Sequence, residues 1–364
     1  MPRFHKPDTI FIILITALVA FGLIMLASAS GPLAFQKFGS SFYFLKHQLI
    51  YLVIGVAAFV ITAKIDYHKL DKLAWPFFIL AALLLIAVFI PGVGASFGTS
   101  RSWVAVGSLF SFQPAEIMKL AFIMMSAHWL ASHSGELNNW LGVIKFLAFP
   151  AVVAVLLILQ PDIGTLIIFG AITLAMVFVA NMSWKYLVTL LALGLGGLAA
   201  AIMSAPYRAK RFMTFLHPEL DPQGIGYHIN QALLAIGSGG IFGLGYGHSR
   251  QKYQYLPEVN ADSIFAVIGE ELGFIFVAIF VIFLFILLAR GVKIAKRAPD
   301  ALGRYLVIGI ICWITVQSFV NIAAMVGLLP LTGVPLPFVS AGGTALVAGL
   351  AGVGIIVNVS RQTR

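Results

Sequence analysis

The sequence predicts an all-α polytopic integral membrane protein with about ten transmembrane helices, and three observations carry that prediction. Hydrophobic residues make up 60% of the 364 and charged residues only 10%, against roughly a quarter charged in a soluble domain. The apolar residues gather into ten continuous runs, each near the length that crosses about 30 Å of hydrocarbon. The 23 Lys and Arg outnumber the 13 Asp and Glu and concentrate on alternate loops, the asymmetry that sets orientation in a bilayer. Continuous runs, rather than ten-residue alternations, exclude a transmembrane β-barrel.

The runs fall at 8–30, 44–63, 73–90, 113–132, 143–160, 163–180, 186–205, 263–289, 304–325 and 341–360. The first follows Arg3 and Lys6 and ends in Ala27-Ser28-Ala29, imitating a signal-peptidase site. It is longer than a usual signal-peptide core and reads as a retained span. The fifth and sixth are separated only by Gln160-Pro161-Asp162, where proline and a charge break the run. With ten spans, Arg3, Lys6, Lys64, Lys69, Lys72, Arg290, Lys293, Lys296, Arg297, Arg304, Arg361 and Arg364 share one side. Both termini are then expected in the cytoplasm, and the long connection 206–262 outside. The chain reads as one membrane domain, 1–364, with a second outer loop at 327–343. Its net charge of +10 suits topology and anionic lipid. Nucleic acid is not an expected partner, because no basic groove interleaved with aromatics exists. The single cysteine, Cys312, permits no intrachain disulfide and no zinc or haem motif.

The chemistry-bearing residues cluster around Tyr255–Phe274, where the polar outer connection turns into an apolar run with Asp262 at the join. A carboxylate at the edge of hydrocarbon loses hydration, so its pKa is expected to rise into the range of a general base. The competing reading makes Asp262 the N-cap of the next helix. Upstream, Tyr207–Leu216 mixes Arg208, Lys210 and Arg211 with large apolar residues, as an interfacial segment does. Residues 230–236 read as a short helix, followed by six glycines between Gly237 and Gly247 that allow close backbone approach to a ligand. Glu116 and Lys119 share one helical face and can neutralise each other. Glu270 and Glu271 lie about two turns beyond Asp262, lining a cavity or pairing with a cation. Gln317 and Asn321 read as interhelical hydrogen-bond glue. The 327–344 loop, with three prolines, is too irregular for a helix and must be buried in protein or line a cavity. Ser340, Gly342 and Gly343 open the last span, where free N–H groups suit an anion. The histidines show no ligand spacing, so no metal site is expected.

Two long motifs, SRQKYQYLPEVNADSIFAVIGEELG and GLLPLTGVPLPFVSAGG, resemble the signatures of the SEDS family, the FtsW, RodA and SpoVE proteins. SRSWVAVGSLFSFQPAEIMKL, QPDIGT and FLHPELDPQGIGYHINQALLAIGSGGIFGLG resemble further family segments, so the likeness runs nearly the length of the chain. It implies a peptidoglycan glycosyltransferase of the bacterial cytoplasmic membrane, polymerising lipid II beside a class B penicillin-binding protein. The family's essential acidic residue matches Asp262. Asn260, Ala261 and Ser263 stand where the family usually has His, Thr and Phe, and Ala341 and Thr344 replace a usual Tyr and Ser. SRQK before YLPE, IGEELG after it, and the N-terminal run are closer to FtsW than to RodA, pointing to the division septum.

The resemblance and the residues together make Asp262 the expected base for the acceptor 4-hydroxyl. Arg101, Arg208, Lys210, Arg211, Gln231, Arg250, Lys252, Glu258, Ser340 and Gly342 are the candidate substrate-binding set, with a divalent cation (Mg or Mn) as a possible assistant at the diphosphate. Glu258 is the competing base, though better hydrated. Alternative readings are an elongation polymerase, a transporter of the same lipid precursor, and a scaffold for division proteins.

Overall fold

The computed structural model describes residues 5–97, 100–106, 110–221 and 223–363, the side chains of 96–101, 106–110 and 225 excepted. Its helices follow the apolar runs because hydrocarbon tolerates only backbones whose hydrogen bonds are satisfied internally. In chain order they are α1 (Thr9–Phe38), α2 (Tyr43–Lys64), α3 (Tyr67–Asp71), α4 (Ala74–Ala87), α5 (Pro114–His133), α6 (Trp140–Leu159), α7 (Ile163–Val179), α8 (Trp184–Met203), α9 (Pro206–Leu216), α10 (Ile225–Ser238), α11 (Ile264–Lys296), α12 (Ala301–Met325) and α13 (Gly343–Ser360). The ten predicted spans correspond to α1, α2, α4–α8 and α11–α13. Seven of these are long and apolar enough to cross a membrane; α4 and α7 are shorter apolar helices, and α5 carries Glu116 and Lys119. The protein is therefore a polytopic membrane protein.

The break between α6 and α7 has a local cause. Asp162 caps α7, its Oδ1 accepting from the Thr165 N–H at 3.0 Å, while Gln160 donates to the Leu85 carbonyl at 2.7 Å and ties the break to α4. α1 and α11 run eight and seven residues beyond their predicted ends. The sequence reading missed a sheet between α4 and α5, with β1 (Gly94–Phe97), β2 (Ser100–Val106) and β3 (Phe110–Phe112) antiparallel in that order. Its strands are short and glycine-flanked, so their alternation is weak beside the apolar runs.

α12 and α13 are mostly buried, whereas α2 and α8 show most of their surface to the surroundings. α5 is buried along nearly its whole length, so α5, α12 and α13 form the centre. Small residues bring helices together: a Cβ on Gly354 would lie 2.0 Å from Thr62 Oγ1, which itself donates to the Ala351 carbonyl at 2.9 Å. Close backbone approach of this kind replaces the hydrophobic drive that is absent between helices in lipid.

α11 is broken at Gly273, whose φ of 75° and ψ of −179° lie outside the helical range. The carbonyls freed there are not left bare. Glu270 and Glu271 main-chain oxygens accept from Leu244 and Gly245 N–H at 3.0 Å each, and Phe274 and Ile275 donate to Gly240 and Ile241 carbonyls at 2.9 and 3.2 Å. The glycine-rich loop expected to approach a ligand therefore approaches α11 itself. A Cβ on Gly243 would sit 2.2 Å from the Glu271 carbonyl oxygen, so the loop's glycines serve backbone packing.

Candidate active site

Asp262 stands just before α11 and is 8% exposed. It does not cap the helix; Ser263 occupies the N-cap position, and no side chain caps it. Burial pushes the Asp262 carboxyl up from the ordinary aspartate range to about 7, and the nearby Glu258 charge pushes in the same direction. Its own backbone N–H, Ser263 and the Arg211 charge oppose that rise.

The main chain around Asp262 is held by the second motif loop. Asn321, on α12, donates through Nδ2 to the Asp262 carbonyl at 2.8 Å and to the Val334 carbonyl at 2.9 Å. Ser340 donates to the Ala261 carbonyl while accepting from the Leu336 N–H at 2.8 Å, and the Ala341 N–H reaches the Asn260 carbonyl at 2.8 Å. Gln317 holds the same loop through the Pro335 carbonyl at 2.9 Å. Gln48 closes it from α2, accepting from the Gly342 N–H at 3.2 Å and donating to the Ser340 carbonyl at 3.4 Å. Ser340 and Gly342, expected at a substrate anion, spend these groups inside the protein. Asn260 and Ala261 enter the zipper through their carbonyls, which any residue supplies, so their unusual side chains leave it intact.

The expected cations separate into distinct environments. Lys252 is buried, and its ammonium meets Glu271 Oε1 at 2.8 Å, Ser28 Oγ at 3.0 Å and the Gly247 carbonyl at 2.8 Å. Those contacts use its three hydrogens, so Lys252 is a structural cation, not a diphosphate ligand. Arg208 donates to the carbonyls of Ala201 and Ile158 at 2.9 and 2.8 Å, joining α9 to α8 and α6. Lys210 is exposed and sits 3.4 Å from Asp221. Arg250 keeps an exposed side chain, its backbone N–H going to Glu270 at 2.9 Å. Gln231 is half-buried on α10, and Glu258 is exposed with a φ of 49°. The Arg101 side chain lies outside the described residues. Arg211 is the cation whose charge acts on Asp262, His228 and Asp162 together; its side chain donates to the Leu331 carbonyl at 3.4 Å.

Two acidic clusters brace the site from within. Glu270 accepts from Ser249 Oγ and from the Arg250 and Gln251 N–H groups at 2.9 and 3.3 Å; Glu271 accepts from Ser28 at 2.7 Å and from Lys252. Lys119 meets Glu116 at 2.7 Å and Gln317 at 2.6 Å, with Trp313 donating to the same Gln317 oxygen at 2.8 Å. His228 escaped sequence reasoning. Its Nε2 lies 2.6 Å from Ser263 Oγ, next to Asp262, and burial followed by the Arg211 charge pushes its pKa down to about 4, so it is neutral at pH 7. Its place within GIGYHINQ was the available signal. Among the described residues no three His, Cys, Asp or Glu side chains form a metal-binding group.

Over residues 8–364 the chain matches the FtsW/RodA/SpoVE model, described as cell cycle protein. It is 41% identical to stage V sporulation protein E of Bacillus subtilis, over 99% of this chain and 98% of that protein. Identity to the probable peptidoglycan glycosyltransferase FtsW of Geobacter metallireducens is 37%, over 100% of this chain and 97% of the other. The rod shape determining protein RodA of Thermus thermophilus superposes with a TM-score of 0.70 at 27% identity, covering 98% of this chain and 97% of that one. A chain from a peptidoglycan synthase complex that coordinates polymerization and crosslinking reaches 0.81 at 28% identity over 98% of both. Matched end to end in both sequence and fold, the chain belongs to the FtsW/RodA/SpoVE (SEDS) family.

Proposed function

We propose that this chain is a peptidoglycan glycosyltransferase that polymerises lipid II at the outer face of the bacterial cytoplasmic membrane, with Asp262 as general base. The observation that carries the proposal is the Asp262 carboxyl itself, nearly buried and held at about 7, on a main chain clamped by Asn321 and Ser340. A base poised near neutral pH balances the fraction ionised against proton affinity. The 37% identity to a protein named as a probable peptidoglycan glycosyltransferase supports the same reaction class.

In the proposed step Asp262 takes the proton of the acceptor GlcNAc 4-hydroxyl as that oxygen attacks C1 of the donor MurNAc. The α-linked undecaprenyl diphosphate departs from the opposite face, leaving a β-1,4 bond. A diphosphate leaves without protonation, so one carboxylate and nearby cations suffice where an inverting glycosidase needs an acid and a base. Arg211 and Arg250 are the favoured diphosphate ligands; Lys210 sits beside Asp221, and Lys252 is committed to Glu271.

A class B penicillin-binding protein is the proposed partner, in keeping with the likeness to a chain of a synthase complex that couples polymerization to crosslinking. The proposed setting is the division septum, with both termini cytoplasmic. The greater identity to a sporulation protein favours a sporulation-stage role as the second reading. The deciding assay is lipid II polymerisation by the purified chain, with and without the neighbouring penicillin-binding protein, for wild type and Asp262→Asn. Glycan from wild type alone, with lipid II bound by both, supports the assignment. Equal polymerisation by the variant moves the base to Glu258, and no polymerisation by either with the partner present favours transport or scaffolding.

A further inference from the structure

The far end of α11 holds a second charged site that the proposed chemistry does not use. A cavity of about 380 Å³ opens there between the start of α1 and the ends of α11 and α13, lined among others by Lys6, Asp8, Arg290, Lys293, Arg297 and Ser360. It lies at the opposite end of α11 from Asp262, beyond the Gly273 break.

The walls are fixed by bonds that link the chain's two ends. The His5 N–H donates to the Arg361 carbonyl at 2.7 Å, and the Asp8 N–H to Ser360 Oγ at 3.1 Å. Asp8 caps α1 through the Phe11 N–H at 2.9 Å, and its carboxylate takes Arg290 Nε at 3.0 Å and a terminal guanidinium nitrogen at 2.9 Å. Asp8, the single acidic residue among the described residues that line the cavity, is thereby matched by Arg290. Lys6, Lys293 and Arg297 line the same cavity and have no ion-pair partner among the described residues, so it carries a surplus of three positive charges.

The surroundings identify the anion. Along α11 and its C-cap Arg297, residues Ile282, Ile286, Arg290, Lys293 and Arg297 follow each other at spacings of four, four, three and four, which is one helical stripe. Ile282 is 57% and Ile286 51% exposed, so an unpartnered apolar track leads into the basic cavity. α1 repeats the pattern: Ile10 lines the cavity and Ile13 lies one turn further in, at 52% and 60% exposure. A free phosphate has no use for the apolar tracks, whereas an anionic phospholipid uses both parts. We propose that this cavity binds the phosphodiester headgroup of an anionic phospholipid, whose acyl chains lie along α1 and α11.

The full-length protein in detergent, titrated with phosphatidylglycerol or phosphatidylcholine and read by native mass spectrometry, tests this. Wild type is expected to retain phosphatidylglycerol selectively, and the double variant K293Q/R297Q to lose about ten-fold in affinity, each basic residue near a surface being worth several-fold. Lys6→Gln, on the opposite wall, is expected to lose about three-fold. K69Q/K72Q removes the same charge elsewhere on that face and is expected to stay within about two-fold of wild type. The substituted residues make no ion pair described in the structure, and unchanged thermal unfolding confirms that the variants fold. Undiminished binding by K293Q/R297Q overturns the proposal. So does an equal loss in K69Q/K72Q, which would mean diffuse surface attraction, or displacement of the lipid by millimolar inorganic phosphate.

Discussion

In its proposed role as base, Asp262 exchanges stability for reactivity. Its carboxyl titrates near 7 in the folded protein against about 3.9 in an exposed aspartate. A raised folded pKa means that its contribution to stability is whole below pH 4 and is lost as pH rises through 7, a difference on the order of 4 kcal/mol. Asp262→Asn is therefore expected to unfold at higher temperature than wild type above pH 7 and to lose that advantage near pH 4. For activity the sign reverses, because the base must be ionised: polymerisation is expected to rise with pH through about 7. Removing the Glu258 charge by Glu258→Gln lowers the Asp262 pKa and shifts that acidic limb to lower pH, which a pH–rate profile measures. If Glu258 were the base, the same substitution would abolish the rate at every pH.

Between residues and whole helices stand the clamps that shape α11. Lys252→Met leaves Glu271 buried without its cation and is expected to cost about 3–5 kcal/mol, whereas Lys252→Met with Glu271→Leu recovers most of it. Thermal unfolding of the two purified variants distinguishes this structural pair from a substrate-binding lysine, whose loss would raise KM and leave unfolding unchanged. Gly243→Ala drives a methyl into the Glu271 carbonyl at a φ of 82° and is expected to destabilise by about 2 kcal/mol or more. Sequence reasoning located both features as polar or glycine-rich anomalies. It could not tell that Lys252 faces Glu271, because a chain of alternating turns carries no periodicity from which to read direction.

For the molecule as a whole, the orientation test is labelling. Cysteine placed at Tyr253, which is exposed on the same connection that leads to Asp262, is expected to react with an impermeant reagent from outside the cell. Cysteine at His68, on α3, is expected to react only after permeabilisation. The opposite result would put the proposed active site in the cytoplasm and exclude polymerisation outside. The ten spans were legible because their apolar lengths are set by the bilayer, a constraint local in sequence. The α4–α5 sheet was not, since short strands among glycines leave little pattern.

What the sequence by itself determined is therefore the membrane class, the spans, the family and the acidic residue at the mouth of α11, all carried by local composition or by long contiguous motifs. The tertiary structure alone decided the roles of the surrounding polar groups. Asn321 reaches Asp262 across 59 positions of sequence, Ser340 reaches Ala261 across 79 and Gln48 reaches Ser340 across 292. Only folding shows that Lys252 neutralises Glu271, that Arg211 acts on Asp262, and that His228 stands behind Ser263. The physical reason is that a polar group inside hydrocarbon must find a partner, and that partner is chosen by proximity in space, which the order of residues does not record.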